Sequence, residues 1–195
     1  MNKIYKVGLI GCGHISETYF RAHEYFNNFK IIKCADIKES ASKNCASLYN
    51  IESVSVDDLL ADNQIEVVLN LTTPQAHYEV TKKTLLAGKH SYCEKPLSTK
   101  FENGQELVNL AKEKNLYLGN GPDTFLGAGS QKSRQLIDSG LVGDMKLGNA
   151  IFAFPGVQSY HPDPEPWFQK DGGGPVMDMG TYYLTVLVNL LGPAK

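Results

Sequence analysis

From Lys6 to Gly119 the chain alternates short apolar runs, too brief for helices, with longer stretches whose apolar side chains recur at helical spacing. Few folds accommodate that rhythm. Lys6 to Ile10, Lys30 to Ala35, Ile65 to Leu71, His90 to Cys93 and Leu116 to Gly119 read as strands. Ile15 to Phe26 (Ile15, Tyr19, Ala22 and Phe26 on one face), Lys38 to Tyr49, Pro74 to Gly88 and Thr99 to Lys114 read as helices. Pro74 suits a first helical position, Gly88 a helix stop and Thr99 a cap. Each parallel crossover needs a connection of helix length. The alternation therefore predicts an α/β fold, a Rossmann-type doubly wound parallel sheet with helices on both faces.

Composition narrows the function classes. Lys+Arg of 19 against Asp+Glu of 21 gives a net charge of −2 over 195 residues, with no basic concentration of the kind that binds nucleic acid. No apolar stretch approaches the ~20 residues of a membrane span. The opening Met1-Asn2-Lys3-Ile4-Tyr5-Lys6 lacks a signal-peptide cleavage site, so a cytoplasmic location is expected. Cys12, Cys34, Cys45 and Cys93 form no C-x-x-C or Cys/His cluster, which reads as free thiols in a reducing compartment and no metal.

The pattern changes at Asn120-Gly121-Pro122, dividing the chain into a dinucleotide-binding domain over 1–121 and a second domain over 122–195. The second region reads as a helix from Gly127 to Ser139, a strand from Leu147 to Phe154 and a Pro-rich crossing from Pro155 to Pro166. An apolar helix then runs from near Pro175 to Leu191, stopped by Gly192-Pro193. A helix apolar nearly all round must be buried, and a lone strand cannot bury it. The expectation is an incomplete α+β domain for substrate binding and oligomerisation. Its cover comes either from chain beyond Lys195 or from a partner subunit.

Gly11-Cys12-Gly13-His14-Ile15-Ser16 places G-x-G-x-x-S between a strand and a helix. Gly11 permits the tight turn, Gly13 lets backbone approach a pyrophosphate, and the helix mouth at His14 and Ile15 suits a diphosphate. Asp36, twenty residues past Ser16, ends the next strand, where a carboxylate accepts from ribose hydroxyls and repels a 2′-phosphate. That argues for NAD, although Lys38 is close enough to reach the phosphate of NADP. Thr72, Thr73 and Pro74 put small polar groups at the carboxyl edge of the sheet. Taken alone they read as a capped turn, and His77 as a hydrogen-bonded packing residue rather than a catalyst. Glu94-Lys95-Pro96 sets a half-buried lysine at the same edge, beside an X-Pro bond that is cheap to hold cis. His161, Asp163, Glu165 and Trp167 read as a solvated crossing or substrate rim.

Gly11-x-Gly13, Asp36, Thr72-Thr73-Pro74 with His77, Glu94-Lys95-Pro96 and Gly172-Gly173-Gly174 through Asp178-x-Gly180 occur in one order. In that order the chain resembles the glucose–fructose oxidoreductase/inositol dehydrogenase/rhizopine-catabolism family of nicotinamide-dependent oxidoreductases. The resemblance implies that Lys95 reaches both the nicotinamide ribose and the substrate hydroxyl. It also implies a second acid/base four residues after Asp178. Tyr182 stands there, as in the glucose–fructose oxidoreductase variant, and Asp178 would bind a substrate hydroxyl or polarise Tyr182. The cofactor set implied is Gly11, Gly13, His14, Ile15, Asp36, Thr72, Thr73, Pro74, His77, Glu94 and Lys95. The substrate implied is a secondary alcohol of a sugar, polyol or sugar derivative, and the assembly a homo-oligomer formed through the second domain. Two rivals stand beside the dehydrogenase: a non-catalytic dinucleotide sensor and an inactive truncated member.

Overall fold

The computed structural model describes residues 3–22, 25–157, 168 and 172–193. They fall into two compact units, Met1–Gly121 and Pro122–Lys195.

Among its described residues the first unit holds six strands and five α-helices. In chain order they are β1 (Tyr5–Ile10), α1 (Ser16–Arg21), β2 (Phe29–Ala35), α2 (Glu39–Tyr49), β3 (Glu52–Ser53), α3 (Val56–Ala61), β4 (Val67–Asn70), α4 (Pro74–Leu86), β5 (His90–Cys93), α5 (Phe101–Glu113) and β6 (Leu118–Asn120). Every strand pair is parallel and the sheet order is β3-β2-β1-β4-β5-β6. This is the doubly wound sheet expected from the sequence. Leu9, Ile31, Val68 and Leu69 are buried because a parallel sheet covered on both faces hides both sides of its strands.

Register decides where the loops emerge. Ala35 pairs with Ile10, Ile10 with Asn70, Asn70 with Cys93, and Cys93 with Asn120. Five strands thus end flush along one row. The order of strands reverses between β1 and β4, and in open α/β sheets that switch point is where ligands bind.

Some local expectations need correction. α1 closes at Arg21, where the N–H groups of Tyr25 and Phe26 turn back onto Ala22 O, and Phe26 sits beside Phe29 instead of on the helical face. Thr99 does not cap α5. Lys100 occupies the cap position, and the Ser98 hydroxyl accepts the Lys100 N–H at 3.2 Å. The stop at Gly88 is as expected: its φ is +74° and its N–H returns to Leu85 O.

In the second unit, α6 (Ala128–Asp138) is followed by a π-helical turn (Val176–Gly180) that leads into α7 (Thr181–Leu191). Residues 144–154 form no strand, because no described segment pairs with them. Two of them meet α7 instead, the Phe152 ring lying 5.4 Å from that of Tyr183 and Gly148 against Leu187 and Leu191. On another side Arg134 of α6 donates to Asn189 O and Leu190 O at 2.8 and 3.1 Å, supplying the donors that a helix end lacks. α7 is therefore covered only in part by the described residues of this chain. Leu184, Val188 and Leu191 remain exposed.

Candidate functional site

Backbone hydrogen bonds carry the sheet one residue past each strand end. Gly11 N–H donates to Ala35 O, Leu71 N–H to Ile10 O, Glu94 N–H to Asn70 O and Gly121 N–H to Cys93 O, all at 2.8–2.9 Å. Gly11, Leu71, Glu94 and Gly121 are thereby held side by side at the carboxyl edge.

At Gly11 the φ is +101°, and a Cβ would lie 2.6 Å from the Leu71 carbonyl; only glycine fits. Gly13 is the opposite case, with no heavy atom within 4 Å of where its Cβ would stand. His14 and Ile15 are exposed beside it, and Ser16 is buried, its hydroxyl donating to Gly13 O at 2.7 Å. Asp36 closes the loop from β2. Its Oδ2 accepts the Cys12 N–H at 2.8 Å and its Oδ1 the Lys38 N–H at 2.7 Å. Each carboxylate oxygen can accept further, so Asp36 remains able to take hydroxyl donors. The open space over Gly13 and this acceptor pair fit a dinucleotide.

The β4–α4 turn is organised by Asn70, a polar side chain with no exposed surface. Its Oδ1 accepts the Thr72 hydroxyl at 2.7 Å, and its amide donates to His77 O and Thr81 Oγ1 at 3.0 and 2.9 Å. Thr73 is the exposed N-cap residue and Pro74 begins the helix. His77 is 1% exposed, with Nδ1 2.6 Å from Pro96 O and Nε2 2.9 Å from Thr72 O. Its ring joins the loop that carries Pro96 to the one that carries Thr72. Burial holds its pKa below the ordinary value, against the pull of the two carbonyl oxygens.

Lys95–Pro96 is a cis peptide. Glu94 and Lys95 are half-buried, and the Glu94 carboxylate accepts the Tyr19 hydroxyl at 2.6 Å on one oxygen and the Lys95 N–H at 3.0 Å on the other. Burial, and then the Glu94 charge, push the Tyr19 phenol well above its usual range, so it stays a donor. Asn120 donates to Cys93 O and Glu94 O at 2.9 and 3.1 Å.

One edge thus gathers Gly11, Gly13, His14, Ile15, Asp36, Thr72, Thr73, Pro74, His77, Glu94 and Lys95. Asp178 and Tyr182 belong to the second unit. Asp178 is buried in the π turn, and Tyr182 is half-buried in the first turn of α7. His161, Asp163, Glu165 and Trp167 lie outside the described residues. All four cysteines are free thiols, Cys45 half-buried and the others buried. Among the described residues no His, Cys, Asp or Glu group is disposed to hold a metal, and no helix is long and apolar enough to cross a membrane. Sequence reasoning missed Asn70, Tyr19 and Asn120. Only Asn70 carried a signal, as a lone amide ending an aliphatic strand.

The GFO/IDH/MocA model described as an oxidoreductase family with an NAD-binding Rossmann fold matches residues 5–121. The model of the GFO/IDH/MocA C-terminal domain matches residues 130–195. An uncharacterized oxidoreductase of Schizosaccharomyces pombe is 30% identical over 85% of this chain and 46% of its own length. A dTDP-3,4-didehydro-2,6-dideoxy-alpha-D-glucose 3-reductase of Saccharopolyspora spinosa is 29% identical over 99% of this chain and 58% of its own. The chain therefore spans about half the length of these curated relatives. The WlbA dehydrogenase of Bordetella pertussis, solved with NADH and UDP-GlcNAcA, shares the fold. Its TM-score is 0.87 at 23% identity, covering 99% of this chain and 57% of that one.

Proposed function

Because this chain belongs to the GFO/IDH/MocA oxidoreductase family, with an NAD-binding Rossmann domain at residues 5–121, we propose that it serves hydride transfer between NAD and a secondary alcohol of a sugar, polyol or sugar derivative. The observation that carries the reading is the flush sheet edge, with the open Gly13 loop and Asp36 on one flank of the switch point and Lys95 on the other. A sugar-type substrate is supported by the name of the Saccharopolyspora relative. A cytoplasmic homo-oligomer formed through the second unit belongs to the same reading.

When bound, the nicotinamide supplies the hydride acceptor or donor at its C4; the protein supplies orientation and proton handling. Asp36 would accept from the adenosine ribose hydroxyls, and the Gly11–Ile15 turn would hold the diphosphate. Lys95 Nζ orients the nicotinamide ribose and the substrate hydroxyl. In the oxidative direction Lys95 or Tyr182 would take up the proton of the substrate hydroxyl. Asp178 holds a second substrate hydroxyl or polarises Tyr182.

The test is calorimetric titration with NAD+ and NADP+, followed by absorbance of reduced cofactor with a panel of sugars and polyols. Both this chain and one lengthened to match its relatives are assayed. Turnover abolished by Lys95→Met supports the reading. Tight NAD+ binding with no turnover by either chain replaces it with a dinucleotide sensor.

A further inference from the structure

We infer that Tyr19 is a positioning residue for the nicotinamide half of the dinucleotide, its hydroxyl tying the helix after the glycine loop to the loop that carries Lys95. The inference rests on the proposed contact between Lys95 and the nicotinamide ribose. Tyr19 lies on α1, three residues beyond Ser16, and reaches across the sheet edge to Glu94 Oε1 at 2.6 Å. The other oxygen of that carboxylate accepts the N–H of Lys95 at 3.0 Å. One carboxylate therefore joins the diphosphate side of the site to the lysine side.

The surroundings are built around that carboxylate. Asn120 fixes the Glu94 carbonyl from β6. A side chain at position 121 would intrude on the carboxylate, since a Cβ on Gly121 would stand 3.1 Å from both Glu94 Oε2 and Lys95 N. The Tyr19 ring has its own packing, 6.2 Å from the Tyr92 ring and tilted 59° to it, alongside the cluster of Leu9 and Leu69. Packing accounts for the ring but not for the hydroxyl. A phenylalanine would fill the same space and leave Glu94 with one donor fewer, free to swing and carry the Lys95 backbone with it. No hydrogen bond of this clasp goes to Asp36 or Gly13, so loosening it should cost the adenosine and diphosphate contacts far less than the nicotinamide side.

The experiment compares two ligands by calorimetry on the 195-residue chain: NADH, and ADP, which lacks the nicotinamide and its ribose. In Tyr19→Phe the NADH dissociation constant rises roughly tenfold, the scale of one lost hydrogen bond to a charged group, while that for ADP stays within about twofold. Glu94→Gln keeps an oxygen for Tyr19 but cannot engage both partners as before, and it shows the same selective loss. The double variant is no worse than the poorer single one, because both substitutions break one unit. Losses that add, or that strike NADH and ADP alike, make Tyr19 a packing residue and overturn the inference. If Tyr19→Phe fails to fold, the ligand split in Glu94→Gln decides the matter by the same criterion. Should the unmodified chain bind NADH no better than ADP, the reading of Lys95 fails and the inference with it. A preference for NADH that survives in Tyr19→Phe sinks the inference alone.

Discussion

Gly11 and Leu71 stand so close that a methyl group on the glycine would lie 2.6 Å from the leucine carbonyl. The loops after β1 and β4 touch backbone to backbone there, and the +101° φ of Gly11 makes that approach possible. Gly11→Ala should lower the unfolding free energy by roughly 1–3 kcal/mol and weaken NAD+ binding in parallel, measured by urea denaturation and calorimetry. Gly13→Ala should separate the two effects. Its added methyl meets no protein atom, so stability should hold within about 0.5 kcal/mol while NAD+ affinity falls at least about tenfold. Unchanged affinity in Gly13→Ala would mean that the diphosphate rests elsewhere.

Asp36 is fixed by two backbone N–H groups and keeps acceptor capacity on both oxygens. Asp36→Ala should weaken NAD+ binding by about 10- to 100-fold, the scale of one or two charge-assisted hydrogen bonds. Exposed Gln75, changed to Ala, should have little effect. NADP+ should be penalised less than NAD+ by Asp36→Ala, since the carboxylate that repels a 2′-phosphate is gone. Equal losses in the two variants would remove Asp36 from the ribose site.

His77 makes stability fall with acid. Its pKa in the folded chain lies below 6.5, burial being the main cause, with Glu94 and Lys95 as its charged neighbours. The unfolded chain therefore takes up a proton first as pH drops through 6.5, and unfolding becomes easier. The contribution is whole above that pH and is lost as pH falls toward the folded value. The ring has carbonyl oxygens at both nitrogens and, when neutral, donates to only one. Denaturant unfolding of the native chain should show a decline as pH falls below 6.5 that is absent in His77→Gln. Glu66 and Glu106 titrate below 4.5 and act only in stronger acid.

Arg134 ends α7 by donating to two of its last carbonyls, and it is also paired with Asp138. Arg134→Ala should destabilise the second unit by about 1 kcal/mol, seen as faster amide exchange over residues 185–192. The first unit should be unaffected, and equal exchange in the variant would show that the cap is replaced by water.

The parallel sheet was legible because strands buried on both faces read as unbroken apolar runs, as Val67 to Leu69 do. β3 and α3 were not. Glu52-Ser53 is a two-residue strand of polar composition, defined only by its pairing with Lys33 and Cys34. Leu147 to Phe154 has the apolar content of a strand, yet strand structure requires a partner for its backbone and no described segment provides one. At the site, glycines and an acid at fixed spacing identified the cradle, since local geometry dictates those residue types. Tyr19 looked like one more apolar position on a helix. Its partner Glu94 is 75 residues away, and no local pattern encodes a bond across that span.

The flush row from Ala35 to Asn120 makes the sheet a fixed chassis. Connecting segments can lengthen, shorten or change chemistry while their points of attachment stay in line. New substrate preferences can then arise through loop variation alone, without renegotiating the core beneath.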